Sequence, residues 1–186
     1  MIIPGNGCTS IQQSNWYGWL HRECATRNIP SICENFPDPY EAKREIWLPF
    51  IDSQLKQNPI DSMILVGHSS GAQAALRYTE DHPVKATILV SATYSDLGDA
   101  NERLSNYYPH IDGSNQYDFE SMRKNCKTFH QFHSDDDPFI PVQEAIRIKD
   151  GLQLSESNFH LLPRRSHFFE PPFPELLDLV LQLTSE

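Results

Sequence analysis

Short apolar runs alternate with amphipathic stretches along most of this chain. Runs rich in β-branched and other apolar residues, bounded by Gly, Pro or Asn, predict six strands. The strands are predicted at residues 2–3, 31–35, 62–66, 86–91, 128–133 and 158–162. Helical spacing of apolar residues and helix-start signals predict helices in between. These are predicted at residues 15–24, 38–55 with a break or kink at Pro49, 70–80, 119–126, 144–152, and from Pro174 onward.

Alternation of strands with helices indicates an α/β fold: an open, mainly parallel sheet with helices on both faces. The chain has 186 residues and no repeat or linker, so we expect a single domain over 1–186. In such sheets the functional loops gather at the carboxyl ends of the strands. Five candidate segments fall at that edge: 4–7, 68–70, the stretch from 94 onward, 134–138 and 165–168.

The sequence Gly-His-Ser-Ser-Gly at 67–71 separates an apolar run from an alanine-rich helix. This is the context of a nucleophile elbow, where a strand ends, the chain turns sharply and a helix begins. Ser69 lies at the apex, and Gly67 and Gly71 leave the room that the turn needs. The alternative is an ordinary Gly/Ser loop. The flanking strand and helix favour Ser69 as a nucleophile.

A serine hydroxyl needs a base at neutral pH, and the base needs an acid to orient it. In this type of fold the chain order is Ser, Asp, His. His167, in the loop after the last predicted strand, is the favoured base, and His133 is the alternative. His68 is adjacent to Ser69, and neighbouring side chains on a sharp turn point apart.

Three consecutive aspartates follow the strand at 128–133 and compete as the acid. Asp137 is favoured because Pro138 restricts it to extended geometry and the next residues can bury beside it. Asp136 and then Asp135 are the alternatives. The spacing of these carboxylates and the nearby histidines matches no standard zinc or calcium site, so we expect no metal.

The oxyanion hole is expected to use the backbone N–H of Ser70, with a second N–H from Asn6 or Gly7. The polar stretch at 94–117 is long enough to form a lid or a binding loop. Aromatic side chains near the site are expected to contact the substrate: Trp16, Phe139 and Phe168.

Composition excludes several classes of partner. The net charge of −10 disfavours nucleic acid, and no apolar run is long enough for a membrane span. The N-terminus lacks the basic and apolar regions of a signal peptide, and the four cysteines are scattered, as in a reducing compartment. We therefore expect a cytoplasmic protein, with the nucleus as a further location. We also expect a monomer that acts on small-molecule esters or amides or on short peptides.

Eight motifs together resemble the retinoblastoma-binding protein 9 family, small serine hydrolases of the α/β-hydrolase fold. They are Pro-Gly-Asn-Gly at 4–7, Trp-Tyr-Gly-Trp at 16–19, Pro-Asp-Pro at 37–39, Ile-Trp-Leu-Pro-Phe at 46–50, Gly-His-Ser-Ser-Gly at 67–71, Ser-Asp-Leu-Gly-Asp at 95–99, Asn-Glu-Arg at 101–103 and Asp-Asp-Pro-Phe at 136–139. The resemblance implies Ser69, Asp137 and His167 as the catalytic residues and no cofactor. It also implies small ester or amide substrates with compact hydrophobic or aromatic groups.

The chain departs from this family pattern at three places. The Leu-x-Cys-x-Glu segment proposed to bind the retinoblastoma protein is replaced by Leu-Lys-Gln-Asn-Pro at 55–59, so the resemblance does not extend to that partner. Ser166 precedes His167 where the family has Gly, and the first strand is short. The leading hypothesis is a serine hydrolase. The alternative is a non-catalytic interaction protein on the same fold, and a dehalogenase is disfavoured because it would use an aspartate nucleophile.

Overall fold

The computed structural model describes residues 1–56 and 58–185. Within them, five parallel strands form one sheet in the order β1-β2-β3-β4-β5. The strands are β1 (Ile2–Ile3), β2 (Ile64–His68), β3 (Val84–Val90), β4 (Cys126–Ser134) and β5 (Phe159–Leu162). Gln57, part of the region that replaces Leu-x-Cys-x-Glu, lies outside the described residues, as does Glu186.

Helices connect the strands and cover both faces of the sheet, as the alternating pattern predicts. The α-helices of the described residues are α1 (Tyr17–Thr26), α2 (Arg44–Leu55), α3 (Ser70–Asp81), α4 (Ala100–Ser105), α5 (Phe119–Asn125), α6 (Val142–Leu152) and α7 (Pro174–Ser185). Short 3₁₀ turns lie at Ile11–Gln13, Ile60–Ser62 and Glu156–Asn158.

Each face of the sheet has its own hydrophobic core, because successive strand residues point to opposite sides. Ile3 and Leu65 pack on one face with residues of α2, α3, α5 and α6. Ile2 and Val66 pack on the other face with residues of α1 and α7. The prediction of a parallel sheet with helices on both faces is therefore confirmed.

The strand predicted at 31–35 was wrong, and the sheet of the described residues has five strands rather than about six. The segment runs beside β1 and accepts a hydrogen bond from the Ile2 N–H at the Ile32 carbonyl, at 2.9 Å. The Cys33 carbonyl faces a side-chain amide instead, that of Gln12 at 3.5 Å. Because β1 has only two residues, it offers too little edge for a further strand to pair along.

The helix predicted from residue 38 begins later, at Arg44. Asp38 has φ of 47°, in the left-handed region, and its carbonyl accepts from the Ala42 N–H at 2.9 Å in a turn. The expected Asp-Pro helix start is thus a turn that precedes α2. Pro49 lies inside α2 without ending it.

Parallel pairing brings the carboxyl ends of all five strands to one edge of the sheet. The segments after these strands include residues 4–7, 69, 91–99, 135–141 and 163–169. Among the described residues, no helix has the length and apolar character needed to cross a bilayer.

Candidate active site

Ser69 lies on a sharp turn between β2 and α3. Its φ of 54° and ψ of −122° are a strained conformation for a residue with a side chain. A Cβ on Gly67 would lie 2.4 Å from the Gly71 carbonyl oxygen, and a Cβ on Gly71 would lie 2.4 Å from the carbonyl oxygens of Ile3 and Pro4. Only glycine fits at these two positions. The turn therefore has the geometry expected of a nucleophile elbow and presents Ser69 to a cavity.

The loop after β1 lies beside Ser69, and two of its N–H groups already have acceptors. Gly5 N–H donates to the Tyr17 hydroxyl at 3.0 Å, and Gly7 N–H donates to the Pro39 carbonyl at 2.6 Å. Within the part of the chain that the structure describes, the Asn6 N–H has no such acceptor. Of the two predicted donors, Asn6 is therefore the one whose N–H is available to a ligand.

Glu102 of α4 binds the loop at residues 4–7, which carries the candidate oxyanion donor Asn6 and is called the oxyanion loop below. Its carboxylate accepts from the Asn6 side-chain amide at 2.8 Å and from the Tyr108 hydroxyl at 2.6 Å. It also lies 3.4 Å from the Ser70 hydroxyl, at the start of α3. One carboxylate thus connects both segments that carry the candidate oxyanion donors.

Asp137 and His167 meet across the loops after β4 and β5. His167 Nδ1 lies 2.8 Å from Asp137 Oδ2, which also accepts from the Ser91 hydroxyl at 2.9 Å. The other oxygen, Oδ1, accepts from the backbone N–H groups of Phe139 at 3.0 Å and Ile140 at 3.1 Å. With these donors the carboxylate has a fixed orientation, and among the described residues Nε2 of His167 has no hydrogen-bond partner.

The protonation of Asp137 results from two opposed effects. Burial raises the pKa of its carboxyl, but the hydrogen bond and charge of His167 and the two backbone N–H donors lower it further, so the net pKa lies below its usual value. The carboxylate is therefore ionised at neutral pH and can only accept hydrogen bonds. His167 Nδ1 must carry the proton of the 2.8 Å contact.

Asp135 and Asp136 bind the backbone of the loop at residues 163–169, called the histidine loop below, and do not contact the His167 ring. Asp136 Oδ1 accepts from the Ser166 N–H at 2.8 Å, and Asp135 Oδ1 accepts from the Arg164 N–H at 3.0 Å. Ser166, which replaces the Gly of the family pattern, has φ of 49°. The loop thus retains the backbone shape that Gly would adopt without strain.

The alternative base, His133, is fully buried and does not line the cavity. Its Nε2 contacts the Ile140 carbonyl at 3.0 Å, and burial lowers the pKa of its imidazole. His133 is therefore a neutral core histidine of β4.

His68 connects the oxyanion loop to the histidine loop. Its Nε2 lies 2.8 Å from the His167 carbonyl oxygen, and its Nδ1 lies 2.6 Å from the Tyr17 hydroxyl. A carbonyl can only accept, so Nε2 carries the proton and Nδ1 accepts from Tyr17. Burial, and secondarily His167, lower the pKa of His68 to about 3, so the ring is neutral. A directed chain of hydrogen bonds therefore runs from Gly5 through Tyr17 and His68 to His167.

A cavity of about 670 Å³ joins these groups. Ser69, Asn6 and His167 line it, and so do Phe139 and residues of the segment from 93 to 108. Part of the long polar stretch at 94–117 therefore lines the cavity, while Tyr117 at its end is buried in the core.

Two of the three aromatic residues predicted to contact substrate do not reach the cavity. Trp16 is fully buried and packs edge-on against Phe173 in the core beneath α1. Phe168 is buried and stacks on Phe173 as well. The next residue along the chain, Phe169, lines the cavity instead.

Sequence reasoning missed four residues of the site: Tyr17, Ser91, Glu102 and Phe169. Tyr17 and Glu102 lie in motifs that carried the family resemblance, but their types and spacing indicate no role. Ser91 follows a buried strand at the functional edge of the sheet, which is a usable signal. In the described part of the chain, no group of three or more His, Cys, Asp or Glu residues could hold a metal ion.

Comparison with known proteins agrees with this fold. Serine hydrolase RBBP9 of Rattus norvegicus is 40% identical over 183 residues, covering 97% of this chain and 92% of that protein. The ydeN gene product of B. subtilis aligns with a TM-score of 0.84 at 20% identity, covering 100% of this chain and 97% of that one. MGS-M2, an alpha/beta hydrolase enzyme from a Medee basin deep-sea metagenome library, gives a TM-score of 0.63 at 16% identity, covering 100% of this chain and 88% of that one.

The structural matches show an α/β-hydrolase fold. A family model described as serine hydrolase matches residues 1–170. Together with the 40% identity to a curated relative over nearly the whole chain, this match shows that the chain belongs to the serine hydrolase family.

Proposed function

We propose that this hydrolase cleaves small esters or amides through an acyl-enzyme formed on Ser69. His167 acts as the base, Asp137 orients it, and the N–H groups of Ser70 and Asn6 bind the oxyanion. One observation carries the proposal: a serine in strained elbow geometry shares a cavity with a histidine whose Nδ1 lies 2.8 Å from a buried carboxylate.

The reaction has two halves. Ser69 Oγ attacks the substrate carbonyl while His167 Nε2 takes the hydroxyl proton, and negative charge develops on the carbonyl oxygen. The N–H groups of Ser70 and Asn6 stabilise this charge at the start of α3, where the helix dipole adds to the effect. The leaving group departs with the proton from His167. Water, activated by the same imidazole, then releases the acid and restores Ser69.

Covalent labelling tests the nucleophile directly. We expect a fluorophosphonate probe to label the wild-type protein and Ser69→Ala to abolish both labelling and ester hydrolysis. Ser53→Ala is the matched control, because Ser53 is exposed on α2 and, among the described residues, its hydroxyl donates only to the Phe50 carbonyl, at 2.7 Å. Labelling that persists in Ser69→Ala contradicts the proposal. A wild-type protein that neither labels nor hydrolyses any ester supports the non-catalytic interaction protein instead.

A further inference from the structure

Two exposed aromatic rings flank the imidazole of His167 at the mouth of the cavity. The Phe139 ring centroid lies 5.2 Å from that of His167, and the Phe169 centroid also lies 5.2 Å from it. The two phenyl rings are 6.0 Å apart and inclined by 75°. Phe139 is 60% exposed and Phe169 is 41% exposed, so part of each ring is open to a ligand.

The position of these rings beside His167 indicates that they contact the leaving group of the substrate. In acyl transfer the imidazole gives its proton to the leaving group, so the leaving atom must lie beside His167 Nε2. The carbonyl oxygen points the other way, towards the oxyanion donors. The substituent on the leaving atom therefore extends past the imidazole and onto the exposed surfaces of Phe139 and Phe169, which contact each other edge to face.

The opposite wall of the cavity offers a different surface. Asn6, Asn101 and Glu102 line it, and Tyr108 there is buried with its hydroxyl donated to Glu102. A flat apolar group bound on that side would remove these polar groups from water without offering them a new hydrogen-bond partner. The aromatic side of the cavity is therefore where such a group gains contact.

We propose that Phe139 and Phe169 form a leaving-group subsite, and that the enzyme prefers esters or amides whose leaving group carries an aromatic ring. This inference rests on the proposed function. Offset and edge-to-face contacts between aromatic rings favour such a group over an alkyl group beyond simple burial. The subsite selects the alcohol or amine that is released and leaves the choice of acyl group to the opposite wall.

Benzyl acetate and methyl acetate form a suitable test pair. Both lose an alkoxide that leaves with one proton from His167, and both give the same acetyl-enzyme on Ser69. Deacylation is thus identical, and the ratio of their kcat/KM values reports only how the leaving group is handled during acylation. We expect wild-type enzyme to favour the benzyl ester roughly tenfold or more.

Phe139→Leu and Phe169→Leu keep an apolar side chain but remove the ring. Each is expected to lower the benzyl-to-methyl ratio by roughly fivefold, and the double variant by more. The inhibition constant of benzyl alcohol should rise in parallel. Ile111→Ala is the control, because Ile111 is fully exposed and does not line the cavity.

The outcomes separate this subsite from the catalytic proposal. An unchanged ratio in both Phe variants, or a wild-type enzyme that prefers the methyl ester, overturns the subsite while hydrolysis dependent on Ser69 survives. Hydrolysis of both esters by Ser69→Ala at the wild-type rate overturns the proposed function, whatever the ratio. A ratio that falls in the Phe variants and holds in Ile111→Ala supports the subsite.

Discussion

At the scale of single residues, the site depends on which nitrogen of His68 carries a proton. The His167 carbonyl requires a donor at Nε2, which leaves Nδ1 to accept from the Tyr17 hydroxyl. The same hydroxyl accepts from Gly5 N–H and from the Asn15 side-chain amide, each at 3.0 Å. Each donor in this series of hydrogen bonds thus has one acceptor, and the series connects the oxyanion loop to the histidine loop.

Removing the Tyr17 hydroxyl should lower turnover more than binding. Tyr17→Phe leaves Gly5 N–H and His68 Nδ1 without their partner, so both loops lose part of their fixed position. We expect kcat to fall about tenfold with KM changed less than about twofold, as for a residue that positions others in the transition state. The ¹⁵N shift of His68 Nδ1 should also change, because this nitrogen loses its hydrogen bond while Nε2 keeps its proton for the His167 carbonyl.

Tyr107→Phe is the matched control for this change. Tyr107 is as deeply buried, but among the described residues its hydroxyl has no hydrogen-bond partner and it does not line the cavity. Its kcat should stay at the wild-type value. Equal losses of kcat in the two variants, or a loss confined to KM in Tyr17→Phe, would refute the positioning role.

At the scale of elements, β2 and β3 could be predicted because each contains a buried, mostly apolar run. The segment at 31–35 contains two apolar residues, Ile32 and Cys33, but whether it joins the sheet depends on the length of β1, which the segment's own residues do not encode. The same limit applies to Phe168 and Phe169. Both are aromatic residues of one loop, and only the φ of 53° at Phe168 and its packing on Phe173 decide which ring turns inward.

The strand–turn–helix element that carries Ser69 tolerates no added methyl group at its crossing with β1. In Gly71→Ala the new Cβ would lie 2.4 Å from two backbone oxygens, which cannot move without displacing β1. We expect a loss of about 3 kcal/mol or more in the free energy of unfolding, measured by urea denaturation.

Gly113→Ala is the control that separates the cost of a steric clash from the cost of an unfavourable backbone conformation. Gly113 has φ of +84°, but a Cβ added there would meet nothing within 4 Å, so its substitution costs only the left-handed conformation, about 1–2 kcal/mol. If Gly71→Ala proves no more destabilising than Gly113→Ala, the tight crossing of α3 over β1 does not exist.

At the scale of the whole molecule, histidines that lie in the site and in the core make the stability of the folded protein depend on pH. Burial lowers the pKa values of His68, His133 and His160, and that of His68 falls to about 3. The unfolded chain takes up a proton on such a histidine near pH 6.5, while the folded protein does not. Their contribution to stability is therefore complete above pH 6.5 and is lost progressively as pH falls towards the folded pKa.

Replacing His68 should make the free energy of unfolding less dependent on pH, because one group that takes up a proton only on unfolding is lost. Between pH 5.5 and 4.5 the unfolded chain carries about one more proton at His68 than the folded protein does, which corresponds to about 1.4 kcal/mol per pH unit. Urea denaturation of wild type and His68→Gln at several pH values measures the two slopes. The variant should be less stable at pH 7.5 but lose stability less steeply on acidification, by about that amount. If the free energies of unfolding of wild type and His68→Gln fall with equal slopes, His68 is protonated in the folded protein. The inferred direction of the hydrogen bonds from Tyr17 through His68 to His167 would then be wrong.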